Sequence, residues 1–271
     1  MFGPGLIGGS LALALQSLRP KWNLRLWARS EESARNASKL FPFVSCDAGE
    51  TARGSDLCVL CTPIGAMPAL AEQLAPVLTE GSVVTDVGSV KAGVVRRLEN
   101  ILGGRFIGSH PMAGSEQSGL SAARANLFEG AVCILTPTNK SLPEAVRAVH
   151  DLWQCVGCRL IQMTPEEHDE RVARVSHLPH AVAAALVNAI SLRLPDVGSI
   201  AGGGYRDTTR IAAGPAAMWR EILLENRAGL LAGLGDFSAM LDKMKAMILE
   251  GDASGLELFL EQARAIREDL S

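Results

Sequence analysis

The stretch Gly3-Pro4-Gly5-Leu6-Ile7-Gly8 decides the predicted fold of this chain. Its spacing is the G-x-G-x-x-G pattern that opens a helix in dinucleotide-binding domains. Glycines at these places allow a tight turn, close approach of the backbone to a pyrophosphate, and close packing of the helix on the sheet. The helix N-terminus then offers amide donors to the phosphates. We therefore predict that Gly3, Gly5, Leu6, Ile7 and Gly8 bind a dinucleotide.

Little sequence precedes this loop. Only Met1 and Phe2 come before Gly3, whereas a Rossmann-type sheet has a central first strand of about five residues at this place. We expect that the sequence starts inside its natural reading frame or lacks its first strand, and that the fold type is unchanged.

Short apolar segments alternate with helical segments over residues 1–163. The predicted strands are 23–27, 56–61, 82–86, 105–109, 132–137 and 159–163. The predicted helices are 10–18, 31–40, 68–78, 91–102 and 142–156. This alternation is typical of βαβ units and of a mainly parallel sheet that is covered on both faces.

The strand pattern stops at Thr164. Thr164-Pro165-Glu166-Glu167 contains the cap, the proline and the third-position glutamate of a helix start. Apolar residues then recur at helical spacing to residue 194, and again over 215–234, 237–249 and 254–270. The predicted fold class is therefore α/β: an N-terminal Rossmann-type parallel-sheet domain (residues 1–163) followed by a C-terminal all-helical domain (residues 164–271).

Composition excludes several classes of function. The 271 residues include 26 Lys+Arg and 29 Asp+Glu, a net charge of −3 that disfavours nucleic-acid binding. The longest apolar run, 11–15, is far shorter than the ~20 residues of a membrane helix. The N-terminus has no basic region of a signal peptide, so we expect a cytoplasmic protein. The six cysteines lack a further set of zinc ligands, and we interpret all six as buried apolar side chains without a metal or disulfide.

The end of the second predicted strand bears on the choice of cofactor. An Asp or Glu at this position accepts a hydrogen bond from the ribose 2′-hydroxyl of NAD. Here the sequence is Trp27-Ala28-Arg29-Ser30, without a carboxylate. Because Arg29 and Ser30 suit a 2′-phosphate, we favour NADP over NAD. The alternative is that Arg29 is simply exposed and that Glu31 or Glu32 binds the ribose of NAD.

Three further motifs lie at predicted loops and helix starts. Asp86-Val87-Gly88-Ser89-Val90-Lys91 and Gly108-Ser109-His110-Pro111-Met112-Ala113-Gly114 follow strands, where parallel sheets bind ligands. Gly203-Gly204-Tyr205-Arg206-Asp207-Thr208-Thr209-Arg210 lies in the helical half, shortly before Met218-Trp219. Together with the glycine loop, and in this order over essentially the whole chain, these motifs resemble the prephenate/arogenate dehydrogenases of tyrosine biosynthesis.

The resemblance implies an NAD(P)-dependent oxidative decarboxylation without a metal. Hydride leaves C4 of a 4-hydroxycyclohexadiene, CO2 leaves the ring, and the ring becomes aromatic. By this resemblance His110 accepts the proton of the hydroxyl, because an imidazole is a suitable base near neutral pH. Ser89 orients the hydroxyl, and Arg210 binds a carboxylate through its guanidinium.

The same resemblance supplies the remaining site residues and the assembly. The expected substrate pocket adds Gly203, His177, Asp207 and Trp219, with Ser115 and Glu116 at its entrance, and Thr62 and Pro63 are expected at the cofactor. The helical domain is expected to form a homodimer. Because the product shares the ring of the substrate, tyrosine is expected to compete for the same pocket. The side chain of prephenate carries a ketone where that of arogenate carries an ammonium group. The sequence leaves both open as substrates.

A structural interpretation stands beside each of these assignments. His110 before Pro111 fits a residue that ends a strand, and Trp219 fits core packing. Asp207 fits the cap of a helix that starts near Thr208. Four polar residues recur at three-residue spacing, and we expect them to form one stripe on a helix that Pro179 kinks. They are Arg171, Arg174, His177 and His180.

The alternatives to this dehydrogenase are a β-hydroxyacid dehydrogenase and a non-catalytic NADP-binding sensor. A β-hydroxyacid dehydrogenase also joins a Rossmann domain to helices, but such enzymes use a lysine on the first helix between the domains. No lysine occurs between Thr164 and Leu194. A non-catalytic NADP-binding sensor is disfavoured because Ser89, His110 and Arg210 are present together.

Overall fold

The computed structural model describes residues 1–114 and 117–269, which form an α/β part followed by a helical part, as predicted. The strands are β1 Leu26–Trp27, β2 Val44–Ser45, β3 Leu57–Leu60, β4 Val83–Asp86, β5 Phe106–Pro111, β6 Val132–Thr136 and β7 Arg159–Gln162. The helices of the α/β part are α1 Leu6–Leu18, α2 Glu31–Ala37, α3 Ala48–Ala52, α4 Met67–Leu74, α5 Ala92–Leu102 and α6 Pro143–Cys155. The helices of the second part are α7 Pro165–Val172, α8 Leu178–Ser191, α9 Val197–Ile200, α10 Gly203–Thr209, α11 Ala216–Glu225, α12 Arg227–Glu250 and α13 Ala253–Glu268.

The sheet is mainly parallel. Its strands follow the order β2-β1-β3-β4-β5-β6-β7, with Phe2 between β1 and β3, where it forms parallel bridges to Trp27 and Leu60. The junction of β5 and β6 is the antiparallel one. The two-residue strand β2 was not predicted, because a strand this short carries no alternating pattern. The predicted strand 105–109 extends to Pro111, so His110 is a paired strand residue rather than the residue that ends the strand.

Helices cover both faces of this sheet. On one face, Leu11 and Leu15 of α1 pack with Leu152 and Trp153 of α6. On the other face, α4 and α5 contribute a second cluster that includes Met67, Leu70, Leu74, Val94 and Leu98. Because the middle of the sheet is buried on both sides, strands such as β3 and β6 are nearly continuous apolar runs, as is typical of parallel sheets. Loops therefore become accessible at the ends of the strands, and β3, β4 and β5 place theirs at the same edge.

A buried ion pair joins β4 to α5 at this edge. Lys91 Nζ contacts Asp86 Oδ2, and both side chains are fully buried. Asp86 also accepts hydrogen bonds from the main-chain N–H of Gly88 and of Ser109, at 2.8 and 3.2 Å. Each buried charge is thus paired, which burial of charge requires.

The helical part confirms one expectation and corrects two. Thr164 and Glu167 form the predicted capping box of α7. However, α12 runs without a break from Arg227 to Glu250, and the interruption falls at Asn226 instead of near residue 235. The helix α10 begins at Gly203, so Asp207 lies within it and is not its cap. The helices break at Asn226 because the side chain of this residue bonds to α7, which is distant in the sequence.

The turn between α7 and α8 divides the expected polar stripe. Residues Ala173–His177 form a π-helical turn, which shifts the phase of the side chains just before Pro179. Arg171 and Arg174 are exposed, whereas His177 and His180 are buried. The four residues therefore do not share one face, and the two histidines point into the protein.

The cysteines and one cavity complete the description of the fold. Cys46 is exposed just after β2, and Cys61 and Cys155 are only partly buried, so the interpretation of all six cysteines as buried holds for Cys58, Cys133 and Cys158 alone. A cavity of about 760 Å³ opens at the opposite, amino-terminal ends of the strands, beside Met1, Arg25, Asp56 and Val83. Within residues 1–114 and 117–269, no helix is long and apolar enough to cross a membrane.

Candidate active site

The glycine loop has the geometry of a pyrophosphate cradle. Gly3 has a φ of +105°, and a Cβ there would lie 2.7 Å from the carbonyl oxygen of Cys61. A Cβ on Gly8 would collide with the carbonyl oxygen of Gly3, so Gly8 lets α1 pack against the loop. A Cβ on Gly5 would meet no atom within 4 Å, so this side of the loop is open to a ligand. Two glycines thus build the turn, and the third leaves room in front of it.

The N-terminus of α1 is available to an anion. Its N-cap is Gly5, which has no side chain to accept from the first-turn amides, and the first turn holds no acidic residue. Uncapped amides together with the helix dipole favour a phosphate. Thr62 adjoins this loop, and its buried Oγ1 has no hydrogen-bond partner among the described residues. The residues present therefore fit a dinucleotide.

The end of β1 is where the sequence predicts contacts with the ribose of the cofactor. Ala28 is fully buried and Arg29 is exposed. Ser30 caps α2, with its Oγ accepting from the N–H of Ser33 at 3.3 Å, which leaves the hydroxyl hydrogen available to a ligand. Glu31 lies in the first turn of α2 and pairs with Arg35 at 3.4 Å. An exposed arginine and the serine that caps α2 thus follow β1 directly.

A chain of hydrogen bonds reaches His110 at the end of β5. His110 Nδ1 lies 2.8 Å from His168 Nε2, and His168 Nδ1 lies 2.8 Å from Asp169 Oδ1. His168 is fully buried, while His110 and Asp169 are each 7% exposed. The two imidazoles and the carboxylate form one line from α7 into the loop edge of the sheet.

Asp169 also caps a helix of the α/β part. Its two carboxylate oxygens accept from the main-chain N–H of Lys91 at 2.7 Å and of Ala92 at 2.9 Å. These are the first amides of α5, which has no cap from its own sequence. Asp169 therefore supplies the missing cap of α5. These two hydrogen bonds connect the helical part to the α/β part beside the candidate site.

His110 is neutral at physiological pH. Burial is the main cause that lowers the pKa of His110 well below its usual 6.5, and the neighbouring His168, Lys91 and His177 lower it further. A neutral imidazole retains a lone pair, so it can accept a proton from a substrate hydroxyl.

His177 is the third buried histidine of the site. Its Nδ1 lies 3.1 Å from Asn226 Nδ2, and the same amide donates to the carbonyl oxygen of Asp169 at 2.7 Å. Because that amide nitrogen is a donor, His177 Nδ1 is an acceptor and its Nε2 carries the hydrogen. Burial lowers the pKa of His177 to about 4, while the charge of Asp169 and the main chain of Ser89 act in the opposite direction. His177 is therefore a neutral hydrogen-bond donor beside Ser89.

Trp219 closes this side of the site. Its ring stacks on His180 at a centroid distance of 3.5 Å and meets His177 edge-on at 6.3 Å. Gly214 lies against the indole, where a Cβ would come within 2.5 Å of Nε1. Trp219 thus packs against two histidines and also against the apolar cluster that includes Met67 and Ile222.

The remaining predicted residues are placed as follows. Arg210 is exposed at the start of a short turn whose next residue, Ile211, contacts His180 through its main chain. Gly203 and Asp207 are exposed on α10, and within the described residues Asp207 makes no side-chain hydrogen bond to the histidines. Pro63 is exposed after β3. Ser115 and Glu116, expected at the entrance, lie outside the described residues.

Sequence reasoning missed three residues of this network: His168, Asp169 and Asn226. His168 continues the three-residue spacing of the expected stripe, and the adjacent pair His168-Asp169 directly follows the capping box. These two features of the sequence point to His168 and Asp169. Asn226, in contrast, interrupts a helical pattern that continues on both sides, and only its long-range hydrogen bonds reveal it.

The comparisons with known proteins identify the family. A family model described as "Prephenate dehydrogenase, nucleotide-binding domain" matches residues 11–162, and one described as "Prephenate dehydrogenase, dimerization domain" matches residues 164–262. The chain belongs to the prephenate dehydrogenase family. It is an NAD(P)-dependent oxidoreductase of this type, which acts on a small-molecule substrate.

Relatives match over nearly the whole chain. The cyclohexadienyl dehydrogenase of Zymomonas mobilis is 36% identical over 98% of this chain and 93% of its own length. A prephenate dehydrogenase structure from A. aeolicus, in complex with hydroxyphenyl propionate and NAD+, has a TM-score of 0.94 at 36% identity and covers 100% of this chain and 96% of that one. The arogenate dehydrogenase of Synechocystis has a TM-score of 0.84 at 31% identity, with 100% and 98% covered. Both names of the family thus occur among similar proteins.

The pKa of His177 leads to a prediction on stability. This pKa is about 4 in the folded protein, against 6.5 for an unperturbed histidine, so the unfolded chain binds one more proton between these values. The folded state is therefore stabilised above about pH 6.5, and this contribution is lost as the pH falls towards 4. We expect His177→Gln to reduce the slope of unfolding free energy against pH in this window by about 1.4 kcal/mol per pH unit. Urea unfolding at a series of pH values measures the slope, and an unchanged slope would contradict the assignment.

Proposed function

We propose that the chain catalyses the NAD(P)-dependent oxidative decarboxylation of prephenate, of arogenate or of both, with the site residues in the following roles. The bound nicotinamide supplies the hydride acceptor. The substrate loses the hydride from C4 and the proton from its 4-hydroxyl, which makes a carbonyl at C4. The bond to the ring carboxylate then breaks and CO2 leaves. The electron pair of that bond makes the ring aromatic and charges the C4 oxygen, which takes back a proton. The protein must therefore remove one proton and bind one or more carboxylates.

His110 removes the proton. The observation that carries this role is its burial at the end of β5, which keeps the imidazole neutral at the edge where the glycine loop also lies. A carbonyl that forms as the hydride leaves requires that the hydroxyl proton go to a base at the same time. Ser89, in the loop after β4, orients this hydroxyl through a hydrogen bond.

The helical part binds the rest of the substrate. The Arg210 guanidinium suits a carboxylate, to which it donates two hydrogen bonds. Neutral His177 donates from Nε2 to a substrate oxygen, and Trp219 supports the ring of His177. Gly203 and Asp207 on α10 line the pocket.

Substitution of His110 tests the reaction. We expect His110→Asn to lower kcat by about 10²- to 10⁴-fold, since it removes the base, whereas Arg210→Lys raises KM because a lysine cannot bind a carboxylate bidentately. His150→Gln, on α6 and away from the site, is the control and keeps the parent rate. Formation of reduced nicotinamide measures each rate. If His110→Asn keeps the parent kcat, His110 is not the base.

NADP is the preferred cofactor in this proposal. Arg29 is exposed after β1, and Ser30 is at the N-terminus of α2. The residue that directly follows β1 is the buried Ala28 and not an acidic residue. We expect a higher kcat/KM with NADP than with NAD. Arg29→Ala removes charged hydrogen bonds and lowers the value for NADP about tenfold or more, with little change for NAD. A higher kcat/KM of the parent with NAD would overturn the preference.

Initial rates with prephenate and with arogenate, each with both cofactors, assign the substrate. Turnover of either substrate is expected. If a folded chain that binds nucleotide turned over neither, the reaction would be refuted. Tyrosine added to the same assay is expected to raise KM without lowering kcat, because it occupies the pocket of the substrate ring.

The helical part forms a homodimer in this proposal. Large apolar side chains remain exposed on its last two helices: Leu231, Met240, Leu241, Ile248, Leu249, Leu258, Leu260 and Ile266. So many exposed apolar side chains on adjacent helices are typical of a protein–protein interface. Sedimentation equilibrium is expected to give twice the mass of the chain, and a monomer mass at micromolar concentration would exclude the dimer.

A further inference from the structure

The hydrogen bonds of Asp169 determine its state. Its carboxylate accepts from two main-chain amides of α5, at 2.7 and 2.9 Å. A carboxylate that is held by amide donors acts only as an acceptor. The third contact of Asp169, from Oδ1 to His168 Nδ1 at 2.8 Å, therefore requires a hydrogen on His168 Nδ1.

The state of His168 follows from this contact. The ring is fully buried, and burial lowers its pKa, so it carries one hydrogen rather than two. With that hydrogen on Nδ1, His168 Nε2 has only a lone pair. This nitrogen faces His110 Nδ1 at 2.8 Å and therefore accepts a hydrogen from it. His110 Nδ1 is thereby occupied, and its Nε2 is left with the lone pair.

We propose that Asp169 and His168 are positioning residues that hold His110 in the tautomer whose Nε2 accepts the substrate proton. This proposal rests on the function proposed above. Neither residue touches the reacting atoms. Their effect passes through two hydrogen bonds, which select the nitrogen of His110 that carries the lone pair and fix the plane of its ring. Once His110 has taken the proton, the negative charge of the Asp169 carboxylate stabilises its positive charge through the same two hydrogen bonds.

The arrangement resembles the logic of a catalytic triad, with a second imidazole between the acid and the base. In such triads a buried aspartate selects the histidine tautomer, and an aspartate-to-asparagine change costs about 10⁴-fold in kcat by selecting the wrong one. Here an amide at residue 169 would donate to His168 Nδ1. His168 would then donate from Nε2 to His110 Nδ1, and the hydrogen of His110 would move to Nε2.

A direct test is nitrogen NMR of the full chain labelled with ¹⁵N at histidine. Imidazole nitrogens with and without a hydrogen give well-separated shifts, and the spectrum of His110→Asn assigns the signals of His110 among the five histidines. In the unsubstituted chain near neutral pH we expect a hydrogen on Nδ1 of both His110 and His168, and none on Nε2 of either. A hydrogen on Nε2 of His110 overturns the proposal. This measurement does not depend on turnover, so it separates the failure of this inference from the failure of the proposed function.

Variants test the effect on the reaction. We expect Asp169→Asn and His168→Phe to lower kcat by about 10²-fold or more, with substrate KM and nucleotide affinity nearly unchanged. Asp169→Asn should also show the hydrogen of His110 on Nε2, a change that a merely structural role in capping α5 does not produce.

Glu170→Gln is the matched control for the aspartate change. It makes the same conversion from acid to amide one residue further along α7, where Glu170 is exposed and contacts Arg174. This variant is expected to keep the parent kcat. If both test variants fold and also keep it, the positioning role is wrong. If they do not fold, the NMR spectrum of the unsubstituted chain decides.

Discussion

The carboxylate of Asp169 is the group on which the rest of the site depends. It caps α5 in the α/β part although it belongs to α7, so it joins the two halves of the chain where the substrate is proposed to bind. The same residue bonds His168 through its side chain and Asn226 through its carbonyl oxygen. Through these two partners it reaches both His110 and His177. One buried anion thus sets the relative position of the halves and the orientation of two imidazoles.

Burial gives the two histidines different uses. Both are neutral, because loss of water disfavours the imidazolium, and the paired cation of Lys91 adds to this effect at His110. Their hydrogen bonds then differ. His110 faces an acceptor with Nδ1, whereas His177 faces a donor with Nδ1. In the proposed reaction one ring therefore accepts a proton and the other donates a hydrogen bond, although the two residues have the same chemistry in isolation.

Local patterns predicted the fold well where the cause is local. The glycine loop, the capping box at Thr164 and the alternation of apolar strands with helices all arise within a few residues. Patterns failed where a distant contact decided the structure. The π-helical turn at Ala173–His177 turns His177 inward and leaves Arg174 outside, which no regular helical spacing predicts. Asn226 interrupts the helices because its side chain bonds to α7, so the predicted break near residue 235 was misplaced.

The sequence by itself determined the family and the two-part architecture. It also determined the residue types that the proposed chemistry needs, since motifs such as Gly3-Pro4-Gly5 and Ser109-His110-Pro111 consist of consecutive residues. Only the tertiary structure decided that His168 lies against His110, 58 positions away in the chain, and that Asp169 caps a helix 77 positions away. The physical reason is that a proton's place on an imidazole depends on the partner at the other nitrogen. Here that partner arrives only when the helical part packs on the sheet.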